Sequence, residues 1–123
     1  HKTLDTAKPF VARAKAQWGG EVGWRTATSY DATKAFISAL SNSGDDPTRS
    51  KVLAKLKEVN LPPDETSGQN LKFSPEGELA GQAILVEVVA SQNPACSNLD
   101  FSLIKEFEFK PSPAPDNNIG RVR

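Results

Sequence analysis

Two segments carry the patterns that most restrict the fold of this chain: a helical pattern from Trp24 to Leu40 and, later, a hairpin pattern that begins at Leu71. In the first segment, apolar side chains recur at spacings of about three to four residues, which predicts an amphipathic helix. Its expected buried face consists of Tyr30, Ala35, Phe36, Ala39 and Leu40. A helix followed by a hairpin indicates a mixed α/β fold.

The residues before this helix favour an extended backbone. Trp24 and Thr26 are β-favouring and alternate with glycine and arginine, which predicts a short extended entry from 21 to 27. The helix would then begin at Thr28 or Ser29, either of which can cap its first free N–H groups. Asp31 would lie in the first turn, where a carboxylate complements the helix dipole.

The second segment predicts a β-hairpin. Leu71–Phe73 would form the first strand, and Ser74, Pro75 and Gly77 occupy the first, second and fourth positions that these residue types prefer in a type I turn. The returning strand would be the run from 83 to 90. That run is nearly all apolar, as expected of a strand covered on both faces.

Two further helices are expected on either side of the first. One spans about 7 to 18, capped by Thr6 and ended by Gly19 and Gly20, and the other begins at Asp46 and Pro47. The buried face of the earlier helix would contain Phe10, Val11, Ala14 and Trp18. The buried face of the later helix would contain Val52, Leu53, Leu56 and Val59.

The last ordered element is expected to be a half-exposed strand from 101 to 109, where polar and apolar residues alternate. Its apolar side would be Phe101, Leu103, Phe107 and Phe109. From 110 to 123 the composition is rich in proline and asparagine, and we expect a disordered tail because so little apolar surface is available for burial. The expected organisation is one domain portion over 1–109 followed by this tail.

Composition excludes several classes of function. The chain has 15 Lys+Arg and 15 Asp+Glu, so its formal net charge is zero and it has no electrostatic footprint for nucleic acid. The single cysteine, Cys96, excludes an internal disulfide and a cysteine-rich zinc site. The sequence has no catalytic motif, and we expect no enzyme activity, no metal and no cofactor.

The order of these elements resembles the C-terminal part of the type I periplasmic binding proteins, the branched-chain amino-acid and amide receptors of ABC transporters. The matching residues are Tyr30-Asp31-Ala32, Gly68, Phe73, Gly77 and Glu78. The similarity covers roughly 10 to 89. A receptor of this family has two α/β lobes and is much longer, so the resemblance implies that this chain is a fragment containing parts of both lobes. The absence of methionine from the chain fits that expectation, and His1 reads as an expression-tag remnant.

The resemblance implies a non-catalytic function: binding of an amino acid or a similar small solute in a cleft between lobes, for uptake or for sensing. It places the segment before the Tyr-Asp-Ala helix at that cleft, with Arg25 as the first ligand-binding candidate and Trp24 and Thr26 next. An arginine can hold a carboxylate through two hydrogen bonds. The implied partners are a transporter permease or a signalling domain, and the implied location is periplasmic or extracellular.

Other interpretations remain open at this stage. A tryptophan such as Trp24 is more commonly a core residue than a ligand contact, and an arginine such as Arg25 is more commonly a solvated surface charge. Tyr30 and Asp31 are more commonly structural residues of their helix. The chain also fits a stand-alone α/β protein-interaction module. Hydrolysis would have to depend on Glu76 or Glu78, which are ordinary turn carboxylates. Because an isolated piece of two lobes exposes sheet edges and apolar patches, we also expect self-association.

Overall fold

The computed structural model describes residues 4–92 and 99–108. Three helices precede most of the strands: α1 (Lys8–Trp18), α2 (Trp24–Ser41) and α3 (Arg49–Lys57). The strands are β1 (Asn60–Leu61), β2 (Leu71–Phe73), β3 (Leu79–Ala80), β4 (Gln82–Ala90) and β5 (Leu99–Glu108). Short 3-10 helices lie at Asp5–Ala7 and Pro63–Glu65. The expected mixed α/β class, with three helices and a hairpin, is confirmed.

The first helix ends where the sequence predicts. Gly19 has a φ of 69°, a left-handed conformation that costs glycine little, and its N–H donates to the carbonyl of Lys15 at 2.9 Å. The predicted cap by Thr6 is wrong, because Ala7 is the cap residue and no side chain bonds there. Phe10 is buried as expected, whereas Trp18 is exposed.

The predicted extended entry before α2 is wrong, because the helix already begins at Trp24. Thr28 lies inside the helix, and its hydroxyl donates to the carbonyl of Trp24 at 3.0 Å instead of capping N–H groups. Ala27 is buried in a cluster with Phe10 on α1. This packing is available only if the first turn is helical, so tertiary contact outweighs the weak β preference of the residues around it.

The buried face of α2 is made of small residues. Ala35 and Ala39 pack with Val59 and Leu71 in a second core cluster, bordered by half-buried residues of α3 and the small sheet. The prediction that Phe36 and Leu40 are buried is wrong, since both side chains are more than half exposed. Alanine lets α3 and β2 approach the helix closely, and the larger side chains are left on the outer face.

The third helix begins slightly later than predicted. Thr48, not Asp46, is its cap residue, and the Thr48 hydroxyl accepts a hydrogen bond from the N–H of Lys51 at 3.3 Å. Val52 and Leu56 pack against the second core cluster as expected, but Leu53 is exposed. The helix is short, and its exposed side faces away from α2.

Strands β1, β2 and β3 form an antiparallel sheet in that order. The predicted turn is confirmed: the N–H of Gly77 donates to the carbonyl of Ser74 at 2.9 Å, and Gly77 has a φ of 92°. The predicted partner strand is wrong, because Phe73 pairs with Leu79 and not with the apolar run from 83 to 90. The observed hairpin is therefore shorter than the one that the sequence pattern predicts.

The apolar run forms β4 and pairs antiparallel with β5 in a separate two-stranded sheet, the β4–β5 ribbon. Leu85 pairs with Lys105 and Val86 with Leu103, so Ile104 is an extra residue that bulges out of the register. The prediction that this run is covered on both faces is wrong, because Leu85 and Val88 are exposed. His1, Cys96, Phe109 and the tail 110–123 lie outside the described residues.

Candidate functional site

The three residues that the resemblance placed at a ligand cleft occupy the first turn of α2. Gly23, whose backbone is extended, is the cap residue, and no side chain caps the helix there. The first turn also contains no acidic residue. The positive end of the helix dipole is thus combined with the cationic side chain of Arg25, which makes this turn locally electropositive.

Trp24 and Arg25 form a stacked pair on the outside of this turn. The Trp24 side chain is 64% exposed, and the guanidinium carbon of Arg25 lies 4.7 Å from the centre of the indole ring. Trp24 is therefore not a core aromatic. At this distance the ring attracts the cation and limits the conformations of the arginine side chain.

Thr26 is half-buried and the next residue, Ala27, is fully buried. The turn is therefore anchored on one side to the core cluster of Phe10 and exposed on the other. The structure places Trp24, Arg25 and Thr26 on one turn of helix, where the sequence predicted a short extended entry. Side chains on helices and strands are positioned more precisely than side chains on loops.

Tyr30 and Asp31 have structural roles in this arrangement. The ring of Tyr30 lies 4.9 Å from that of Phe10, so it joins α2 to α1. The carboxylate of Asp31 accepts the backbone N–H of Ser67 at 2.7 Å and the Ser67 hydroxyl at 2.6 Å. Asp31 lies in the body of α2, not in its first turn as predicted, and it joins the helix to the loop before β2.

That loop is the most deeply buried polar segment in the described residues. Thr66 and Ser67 are almost fully buried, and the Thr66 hydroxyl donates to the carbonyl of Gln69 at 2.5 Å while lying 3.2 Å from the carbonyl of Pro63. Gly68 has a φ of 115° and packs directly against Ala7. The sequence pattern gave no reason to pair Ser67 with Asp31, because such a contact depends on how distant segments fold together.

The remaining motif residues lie in or near the small sheet. Phe73 packs on the second core cluster, and Gly77 forms the hairpin turn. A cavity of about 110 Å³ lies between α2, the hairpin and the start of β4. Its walls include Asp31, Leu71, Leu79, Gly81 and Ala83. The cavity lies on the side of Asp31 that faces the hairpin.

Within residues 4–92 and 99–108, no group of three or more His, Cys, Asp or Glu side chains is placed to hold a metal ion. None of the described helices is both long and apolar enough to cross a membrane. Comparison with protein-family models, curated protein sequences and solved structures finds no match to this chain.

Proposed function

We propose that this chain is part of a non-catalytic ligand-binding domain of the periplasmic binding protein type, and that it holds a small solute with a carboxylate, such as an amino acid, against the first turn of α2. The observation that carries the proposal is the stacked pair of Trp24 and Arg25, exposed together on an uncapped, acid-free helix turn. No other exposed side chains in the described part of the chain combine an aromatic surface with a cation on a helix start.

The chemistry of the pair suits an amino acid. The guanidinium of Arg25 offers two parallel N–H donors to a carboxylate, and the positive end of α2 adds to the attraction. The exposed indole of Trp24 offers an apolar surface for the ligand's side chain. Thr26, half-buried on the same turn, adds a hydroxyl that can donate or accept.

The outer face of α2 supports the proposal that this chain belongs to a larger domain. Phe36, Ile37 and Leu40 form an exposed apolar patch on the side opposite the buried alanines. A helix with two apolar faces is typical of an element covered by a second layer. In the proposed receptor, α2 and the layer that covers it belong to the first lobe, and the opposite wall of the cleft belongs to the second lobe. A permease or signalling domain recognises the closed state outside the cytoplasm.

The proposal is tested by an NMR titration of the chain with leucine and, separately, with leucinamide, which lacks the carboxylate. We expect leucine to shift the amide signals of 23–27, and leucinamide to bind at least about tenfold more weakly, because it cannot accept the paired bonds from Arg25. Arg25→Gln should abolish the difference between the two ligands.

Arg49→Gln is the matched control, because Arg49 is also exposed at the start of a helix, α3, but stacks on none of the aromatic rings in the described residues. It should leave both titrations unchanged. Equal shifts with leucine and leucinamide, or loss of binding in Arg49→Gln as well as Arg25→Gln, would refute the assignment of Arg25 to the carboxylate.

A stand-alone protein-interaction module is the second candidate, and the exposed patch of Phe36, Ile37 and Leu40 favours it. The two candidates respond differently to substitution. In a receptor, Arg25→Gln weakens the binding of leucine and Phe36→Ser does not. In an interaction module, Phe36→Ser weakens capture of a protein partner and Arg25→Gln leaves it unchanged.

A further inference from the structure

Strand β4 has one edge with which no other described strand pairs. Among the described residues it pairs only with β5, in a two-stranded sheet. Its side chains Leu85 and Val88 are exposed. A two-stranded ribbon is marginally stable in water, and an unpaired strand edge presents a row of N–H and C=O groups that can pair with another strand.

The two outer edges of the ribbon differ in how well they are protected. Strand β5 contains four charged residues, Asp100, Lys105, Glu106 and Glu108, and the bulge at Ile104 interrupts its register. Charges and bulges are the features that discourage pairing at a sheet edge. Strand β4 has nine residues, and Glu87 is its only charged residue. It has no bulged residue, so its edge is the less protected of the two against pairing with another strand.

The sequence of β4 is complementary to itself when a second β4 runs antiparallel about Val86. In that register Val86 lies opposite the second Val86, and Ile84 lies opposite the second Val88. Glu87 lies opposite Leu85, so no two like charges face each other directly. Apolar cross-strand pairs of this kind stabilise a sheet, whereas directly opposed like charges destabilise it.

We propose that the partner of the β4 edge is a second copy of this chain, paired antiparallel about Val86. The result is a two-fold symmetric dimer with a continuous four-stranded sheet in the order β5, β4, β4, β5. Such an interface is isologous, because the same surface contributes from both copies. The proposal does not depend on the proposed ligand function.

The helical part approaches the ribbon at its beginning, where Gly81 and Ala83 line the cavity beside Asp31. In the antiparallel register the beginning of one β4 lies beside the end of the other, so the helical parts lie at opposite ends of the four-stranded sheet. Val88, which is 60% exposed, becomes an interior position of that sheet.

Sedimentation equilibrium of the full chain, with a matched pair of charge variants, tests the proposal. We expect the unmodified chain to dimerise at micromolar to low millimolar concentration. Val86→Lys and Val86→Asp should each raise the dimer dissociation constant by about tenfold or more, because each places like charges directly opposite each other. An equimolar mixture of the two variants should dimerise again, because lysine then faces aspartate.

Leu103→Lys and Leu103→Asp are the controls. Leu103 pairs with Val86 inside the ribbon and lies on the same face, but on the strand away from the proposed interface. Each control variant should keep the dissociation constant of the unmodified chain, and their mixture should show no gain. A chain that stays monomeric throughout this concentration range would overturn the proposal, as would equal effects at 86 and 103.

A cross-linking experiment covers the case in which the charged variants fail to fold. In a Cys96→Ser background, Val86→Cys should form a disulfide-linked dimer under mild oxidation, because the two sulfurs are opposite each other across the symmetry axis. Leu103→Cys in the same background should form at least about tenfold less disulfide-linked dimer, since both β4 strands lie between its two copies. Equal cross-linking at both positions would contradict the register.

Discussion

The carboxylate of Asp31 accepts two hydrogen bonds from Ser67, a residue 36 positions further along the chain. Ser67 is fully buried, so its N–H and hydroxyl need partners inside the protein. Asp31 provides both. At the scale of single residues, this contact joins α2 to the loop that leads into the small sheet, and it explains why an acidic residue is tolerated in the body of the helix.

Replacing Asp31 by alanine should lower the free energy of unfolding by about 2–4 kcal/mol, because two charge-assisted bonds are lost and a buried N–H is left without its acceptor. Urea denaturation measures the change. Asp45→Ala is the control, since Asp45 is exposed in the loop after α2, and we expect a change within about 0.5 kcal/mol. Similar losses of unfolding free energy in both variants would argue against a stabilising contact between Asp31 and Ser67.

Gly68 is the second residue on which the loop depends. A Cβ at this position would lie 2.4 Å from the Cα of Ala7, and the φ of 115° is unfavourable for any other residue. Gly68→Ala should therefore lower the free energy of unfolding by about 2–4 kcal/mol. Gly20→Ala, where no atom lies within 4 Å of the added Cβ, should change it by no more than about 0.5 kcal/mol. Thermal unfolding followed by circular dichroism measures both, and a neutral Gly68→Ala would show that the loop can move away from Ala7.

At the scale of elements, α2 determines how the described helices and the small sheet are arranged. Its alanine face contacts α3 and β2 closely, while its larger apolar residues lie on the outside. Hydrophobic periodicity correctly predicts that this segment is a helix. It does not predict which apolar face is buried, because that depends on how closely the neighbouring elements approach.

Substitutions on the two faces of α2 should change the free energy of unfolding in the reverse of the way that hydrophobicity alone predicts. Adding an apolar side chain to the buried face should destabilise the protein, and removing one from the exposed face should have little effect. Ala39→Leu adds bulk to a residue that is 1% exposed and should cost about 1–3 kcal/mol of unfolding free energy. Phe36→Ser removes a large apolar side chain that is 56% exposed and should change that free energy by no more than about 0.5 kcal/mol. Urea denaturation of both variants measures these changes. A large loss of unfolding free energy in Phe36→Ser, with no change in Ala39→Leu, would reverse the assignment of the buried and exposed faces.

At the scale of the whole molecule, the described residues divide into a packed part and an open part. The helices and the β1–β2–β3 sheet share two core clusters that include Phe10 and Leu71. The β4–β5 ribbon contributes no residue to either of these clusters. Stability should therefore be uneven along the chain, because buried apolar contacts are concentrated before residue 80.

Amide hydrogen exchange should show this difference. In dilute protein, amides of β4 and β5 should exchange at least about tenfold faster than those in the middle of α2, since a two-stranded ribbon opens easily. Raising the protein concentration should slow exchange at β4 more than at β5, as pairing of the β4 edge requires. Equal slowing in both strands would point to contact through the face of the ribbon instead of through its β4 edge.

Features that depend only on neighbouring residues follow from the amino-acid sequence alone. The end of α1 at Gly19 and the turn from Ser74 to Gly77 follow from backbone preferences of glycine and proline, and the helical character of 28–40 follows from its periodicity. The candidate site residues Trp24 and Arg25 are adjacent in the chain, so their stacking is also local. The sequence even indicated the coarse α/β class correctly.

Features that depend on distant contacts follow instead from how the whole chain folds. The first turn of α2 is helical because Ala27 packs against Phe10, and Asp31 faces Ser67 because the loop folds back onto the helix. The apolar run of β4 looks like a buried strand, yet it is exposed because none of the other described elements packs over Val88. Burial is a property of the neighbours that an element meets, and the neighbours are chosen by the fold as a whole.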